Sequence, residues 1–328
     1  MRRAGVLLLL GLAILIPAAS SAGGPGKVVV VATIPPLASI AEEVGGGRVE
    51  VKCLVPPGSD PHQFALRPSD LAAFANCDLL IAVGKEPFLG AIPEGACRLT
   101  LSWEDWERGG VYVRSGNPHY LWLYPRNAAK VASVICSALS QLDPEGAEYY
   151  EGRLAEFEQR VEDLLEWIER YVQATGVEGG KVVLIGSHFE PLVECMGLKA
   201  IGILAEKEGG VPSPEDVAKV EEIAMREGAS AIIALASQKM GDEGRLAETI
   251  SSDTKIPVVY VYGAMFDRSD TYSEFVKYTV ASIASAVCSA RSAGGSARSG
   301  TGYVYLAVGL LLLVVVVETY LLMRGVKE

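Results

Sequence analysis

This chain of 328 residues contains three histidines, and each of them, His62, His119 and His188, stands in a turn sequence beside an apolar run. A neutral imidazole is the commonest metal ligand, and loops far apart in sequence share an ion only if each turn holds its ring in place. The run Val55-Pro56-Pro57-Gly58-Ser59-Asp60-Pro61-His62 is built for that. Its prolines fix φ, Gly58 permits a sharp bend, and the loop has little conformational freedom left to lose when His62 is captured. One histidine behind a proline-rich turn is ordinarily a surface residue; three in like settings point to one shared site. Three imidazoles favour zinc over the oxygen-preferring Mg2+ and Ca2+, whereas manganese would be better served by two histidines and two carboxylates.

The six cysteines, Cys53, Cys77, Cys97, Cys136, Cys195 and Cys288, show no C-x-x-C or other metal spacing, so a zinc finger is excluded. Several lie in or beside apolar runs, where a thiol behaves as a small hydrophobe. In an exported chain some of them could be bridged, with a connectivity that spacing leaves open. The net charge of −11, without a basic stripe, argues against nucleic-acid binding. The acidic residues are spread along helical segments, as on a solvated surface.

Half of the residues are hydrophobic, more than a soluble domain usually carries, and the two ends account for the excess. Residues 1–22 have the charged, apolar and small-residue regions of a secretory signal. No cysteine lies near Ala22, so an N-terminal lipid anchor is not expected. Residues 303–323 are long enough to span a bilayer as a helix, with Glu318 towards the far end and Arg324 and Lys327 in a cytoplasmic tail of residues 324–328. The Gly/Ser-rich stretch 289–302 reads as a flexible tether reaching on the order of 20 Å. The expected topology is a single-pass cell-membrane protein whose folded domain is extracytoplasmic.

To position the histidines, the folded portion must be α/β, with two lobes that each carry a roughly four-stranded parallel sheet flanked by helices. In the N-terminal lobe, residues 23–143, β-branched runs at 27–34, 49–55, 78–83 and 97–101 read as strands, with a helix from Pro35-Pro36 and another opened by Pro68-Ser69-Asp70-Leu71. Residues 144–175 place Leu154, Phe157, Val161, Leu164, Leu165, Ile168 and Val172 at helical spacing, a connector helix between the lobes. The C-terminal lobe, residues 176–288, repeats the pattern with strands at 182–186, 198–204, 231–236 and 258–261, a helix capped at Ser213, and a last helix over 271–288. His62 and His188 then follow strand ends in different lobes, and facing lobes would bring them into one cleft.

Ala32-Thr33-Ile34-Pro35-Pro36-Leu37, Leu54-Val55-Pro56-Pro57-Gly58-Ser59-Asp60-Pro61-His62, Arg67-Pro68-Ser69-Asp70-Leu71, Asn117-Pro118-His119-Tyr120-Leu121-Trp122-Leu123 and Ser187-His188-Phe189-Glu190 resemble the zinc/manganese-binding receptor (solute-binding) proteins of metal ABC importers. The resemblance covers residues 27–288. It implies a metal at the lobe interface, Zn2+ or alternatively Mn2+, held by the residues matching His62, His119 and His188, and a membrane permease as partner. The family usually places an aspartate just after the last strand, where Tyr262 stands here; Asp267, or alternatively Asp270, is expected to reach in from the same loop as fourth ligand. The histidine-rich loop of many zinc members is missing between His62 and His119.

The leading expectation is therefore a monomeric, non-enzymatic carrier that captures a divalent metal, most simply zinc, with manganese or iron as alternatives. A zinc hydrolase with an open fourth position is the rival, and Glu190 is its candidate general base. An adhesion module with an incidental α/β fold is the third class.

Overall fold

Val28–Ala32 (β1) is four valines and an alanine, and Val30, Val31 and Ala32 are wholly buried, as a strand covered on both faces requires. The structure is a computed structural model that describes residues 26–204, 212–265, 267 and 269–294. Residues 1–22 and 303–323, expected as signal and membrane span, lie outside the described residues, and among those described no helix is long and apolar enough to cross a membrane.

After β1, Pro35 and Pro36 start helix α1 (Pro35–Gly45), where a missing N–H costs nothing. Strands β2 (Val49–Cys53), β3 (Leu79–Ile81) and β4 (Leu99–Leu101) complete a parallel sheet of order β2-β1-β3-β4. Helices α2 (Trp103–Arg108), α3 (Tyr120–Leu123) and α4 (Pro125–Leu142) lead to the long α5 (Ala147–Thr175). Beyond it come β5 (Lys181–Ile185), α6 (Glu190–Cys195), β6 (Lys199–Leu204), α7 (Pro214–Glu227), β7 (Ala231–Leu235), α8 (Asp242–Thr254), β8 (Val258–Val261) and α9 (Tyr272–Gly294). The second sheet is also parallel, in the order β6-β5-β7-β8. Both lobes thus share one topology, and each has a switch point beside its first strand where the chain turns to opposite sides and ligand groups collect at the strand ends.

Helix α5 has 29 residues, and at 1.5 Å per residue it is about 44 Å long. Its buried stripe, Tyr150, Phe157, Val161, Leu164, Ile168 and Val172, packs on α1, α4 and α9. Leu154 and Leu165 of the expected stripe are only partly buried against that core. The start of the helix is pinned by Asp143, which accepts hydrogen bonds from Arg48 Nε (2.8 Å), Arg48 Nη2 (2.9 Å) and the Tyr150 hydroxyl (2.8 Å). Burial pushes the Asp143 carboxyl up, but the bonds from Tyr150 and Arg48 outweigh it and hold the group below its usual value. Burial and the same carboxylate push the Tyr150 hydroxyl up to about 12.

The lobes are tied a second time by α9. The Tyr272 backbone N–H donates to Glu43 Oε1 of α1 (3.2 Å), and the buried Tyr272 hydroxyl donates to the carbonyl of Trp122 (2.9 Å). Arg160 of α5 meets the other oxygen of Glu43 (3.2 Å), so one carboxylate joins α1, α5 and α9.

Two expectations change, and one pairing that spacing left open is resolved. Pro68 opens no α-helix: Asp70–Phe74 is a single 3-10 turn, ended where Asn76 turns to φ +62°. So few residues before a strand cannot recover the cost of nucleating an α-helix. Next, Cys97 is bonded to Cys77 (Cα–Cα 4.7 Å), which ties the entry of β4 to that of β3. Finally, α9 runs to Gly294, past Cys288 where the tether was expected to begin, because the intervening Ala290, Arg291 and Ala293 are good helix formers.

Candidate metal centre

Past the end of β2 the chain keeps the direction of the sheet for two more residues, with Val55 N–H donating to the Thr33 carbonyl (3.1 Å). It then turns at Gly58, whose φ of +72° suits glycine. The Gly58 N–H crosses to the other lobe and donates to the Met265 carbonyl (3.1 Å). Asp60, 8% exposed, accepts the His62 backbone N–H on Oδ1 (2.9 Å) and the side-chain amide of Gln238, just after β7, on Oδ2. One buried carboxylate thus fixes the backbone of His62 and fastens its loop across the cleft.

His119 sits at the N-terminal end of α3 and is 1% exposed. Asn117 Oδ1 accepts from its backbone N–H (3.0 Å) and lies 2.7 Å from its Nδ1. The Asn117 amide nitrogen donates to the Ser187 carbonyl (2.9 Å) and to Glu190 Oε2 (3.1 Å), which fixes the amide orientation. The atom facing Nδ1 is therefore an acceptor, so Nδ1 carries the proton and Nε2 the lone pair. Complete burial, with His188 and His62 close by, holds the His119 imidazolium pKa well below its usual value. The ring stays neutral, as a ligand must.

His188 follows β5 through Gly186, at φ +80°. A side chain there would put its Cβ 2.7 Å from His188 Nδ1, so only glycine lets the ring fold back over the strand end. The three rings close on one another, with centroids 6.1 Å apart for His62 and His119, 5.9 Å for His62 and His188, and 4.3 Å for His119 and His188. One nitrogen from each lies within 4.8 Å of the others, a spacing a single ion would draw together. Around them lie Ile34, Asp60, Trp122, Leu235, Tyr262 and Gly263. Trp122 packs on His119 at 5.1 Å and donates from Nε1 to the Gly263 carbonyl (2.9 Å), sealing the cleft from the C-terminal lobe.

The structure brings the three predicted histidines together, but it places Asp267 and Asp270 elsewhere. Both line a second pocket with Pro35, Glu42, Val51 and Pro57, and neither joins the three-nitrogen group. Asp267 Oδ1 accepts from the Ser269 N–H (2.8 Å) and hydroxyl (2.7 Å), and Asp270 Oδ2 accepts the Asp267 N–H (2.9 Å), so the loop folds on its own carboxylates. Tyr262, by contrast, does line the histidine pocket. Glu190 is engaged by Asn117 rather than aimed at the rings. Sequence reasoning passed over Asn117, whose place two residues before a histidine is the signature of an Asx turn. It also passed over Gln238, which no local pattern marks.

The chain matches the family model described as zinc-uptake complex component A, periplasmic (ZnuA), over residues 30–286, and it belongs to that family. Among its relatives, the manganese ABC transporter substrate-binding lipoprotein PsaA of Streptococcus pneumoniae is 25% identical over 315 residues, covering 87% of this chain and 98% of that one. The manganese-binding lipoprotein MntA of Halalkalibacterium halodurans is 24% identical over 254 residues, 74% of this chain and 83% of its own. The same fold is found in a crystal structure of ZnuA (TM-score 0.67, 22% identity, 80% of this chain and 99% of that one). It is found again in the periplasmic zinc binding protein TroA of Treponema pallidum (TM-score 0.67, 20% identity, with the same coverage).

Proposed function

We propose that this chain is an extracytoplasmic receptor that captures a divalent transition metal in the cleft between its lobes and delivers it to the membrane permease of an ABC importer. The observation that carries the reading is the meeting of three imidazole nitrogens within 4.8 Å, contributed by loops of both lobes. An ion held by His62 and His119 on one side and His188 on the other reports on both lobes at once, which is what a permease must sense. The metal is zinc in this reading, because an all-imidazole donor set suits it, although the two relatives quoted are named for manganese. Residues 303–323 act as the membrane anchor, where those relatives are named as lipoproteins.

The test is metal analysis of the purified full chain after competition among zinc, manganese and iron, repeated with His62→Ala and His188→Ala. Zinc should be retained by the parent, and each substitution should weaken zinc binding by more than tenfold. Unchanged affinity in both variants would reject the site, and preferential retention of manganese would reject the choice of metal. A chain terminated after Gly294 should leave the membrane fraction without detergent; its retention there would reject the anchor.

A further inference from the structure

The segments around His119 and His188 come from different lobes, yet they are stitched together beside the rings. Arg114 pairs with Glu194 Oε2 (3.0 Å), and the Tyr120 hydroxyl donates to the same oxygen (2.6 Å). The Asn117 amide donates to the Ser187 carbonyl (2.9 Å) and to Glu190 Oε2 (3.1 Å). Each histidine is bracketed by these bonds, His119 between Asn117 and Tyr120, and His188 between Ser187 and Glu190. They are also the two rings that stand closest, with centroids 4.3 Å apart against 5.9 and 6.1 Å for the pairs that include His62.

Within this seam Asn117 alone touches a histidine ring, and its side chain, in a residue 7% exposed, divides its bonding by lobe. The oxygen meets the backbone N–H (3.0 Å) and Nδ1 (2.7 Å) of His119 in its own lobe, and the nitrogen gives its hydrogens to the other lobe. An amide has two hydrogens to donate and one oxygen with two lone pairs, so a single orientation meets every partner. Turned over, it would set its NH2 against the His119 N–H and its oxygen against the Ser187 carbonyl and the Glu190 carboxylate. The His188 segment therefore dictates which end of the amide faces His119, and through it which ring nitrogen is left for an ion.

We propose that Asn117 is the positioning residue that couples the two lobes at the metal centre: its hold on Ser187 and Glu190 keeps Nε2 of His119 turned to the ion, so the C-terminal lobe controls a ligand of the N-terminal one. The inference rests on the reading of the three histidines as ligands. A displacement of the His188 segment then removes one ligand directly and, by releasing the amide, disorients a second. Release of the ion becomes steeper than the loss of one bond would make it.

The experiment uses the full chain and Zn2+. A group that orients a ligating histidine is ordinarily worth 10–100-fold in metal affinity, and Asn117→Ala should weaken zinc binding by about tenfold or more. Asn117→Asp keeps the size and the acceptor for His119 but sets oxygen against Ser187 and Glu190. If Asn117 served His119 alone, that variant would bind zinc as well as the parent or better; coupling between the lobes predicts about tenfold weaker binding. Adding Glu190→Gln to Asn117→Asp exchanges donor and acceptor at unchanged total charge, and the double variant should bind at least about threefold more tightly than Asn117→Asp, with the single Glu190→Gln completing the cycle. Because the chain has three histidines, 15N-histidine labelling resolves each ring. The zinc-loaded parent should show His119 with a protonated Nδ1 and a metal-bound Nε2. Zinc binding by Asn117→Asp equal to the parent's, no recovery in the double variant, or His119 bound through Nδ1 would overturn the proposal. If the variants fail to fold, the ring assignment in the parent decides alone. His62→Ala separates the two levels: if it loses zinc while the Asn117 variants keep it, only this inference falls, and if all keep it, the metal site falls too.

Discussion

Removing Asp60 should break the hold on His62 from two sides at once. Its carboxylate accepts one N–H from the backbone of His62 at 2.9 Å and one from the side chain of Gln238 in the opposite lobe, and the residue is 8% exposed. Each hydrogen bond to a charged group contributes about 1.5–3 kcal/mol. Asp60→Ala should therefore lower stability by about 3 kcal/mol or more, and Gln238→Ala by about half of that. The bond to His62 is the one that holds the backbone from which the ring projects; its loss, worth about 1.5 kcal/mol or more, should weaken zinc binding by roughly tenfold. Gln238→Ala leaves that bond in place and should change zinc affinity less. Denaturant unfolding and zinc titration against a competing chelator, run on both single variants and the double, give a cycle whose coupling between the two residues should exceed about 0.5 kcal/mol. Additive effects on stability, together with zinc affinity unchanged in Asp60→Ala, would refute the claim that this carboxylate is a cross-cleft latch.

Three other outcomes are expected. Reducing the Cys77–Cys97 disulfide, which closes a loop with a sequence separation of 20, should cost about 3 kcal/mol of stability. It should leave zinc affinity unchanged, because the bridge lies at the entry of β3 and β4 while His62 and His188 follow the exits of β2 and β5 and His119 opens α3; a parallel fall in affinity would contradict this. Asp143 is held below its usual carboxylate value, so its contribution to stability is present above about pH 4 and is lost as the pH falls through its lowered value. Asp143→Asn should flatten that acid limb of the unfolding curve, and an unaltered limb would rule the group out as its source. Trp122→Phe should lose the bond to the Gly263 carbonyl, cost about 1 kcal/mol, and abolish most of the fluorescence change on zinc addition. The other tryptophans, Trp103, Trp106 and Trp167, do not line the histidine pocket, and a full response from them would show that the change arises elsewhere.

Strands were legible because valine- and isoleucine-rich runs such as Val28–Ala32 and Ala231–Leu235 are buried on both faces and carry their signal in composition alone. The long helix was legible because its stripe persists over 29 residues. The three histidines were legible because they are so few and each follows a turn. What local pattern does not contain is the partner supplied by distant chain: Gln238 for Asp60, Ser187 for Asn117. Asp267 and Asp270 illustrate the converse. Proximity in sequence to the last strand suggested ligands, but two aspartates with Ser269 between them satisfy their own loop first, as Asx turns do.

The two crossings between the lobes, α5 outward and α9 returning to Glu43 and Trp122, act as paired struts. A joint braced at two points resists swinging open, and donors held by such a joint need little further ordering to take up an ion. The consequence falls on the transporter. With the lobes so braced, the signal a permease would read for a bound ion is expected to lie in loop rigidity and cleft charge more than in a change of outline.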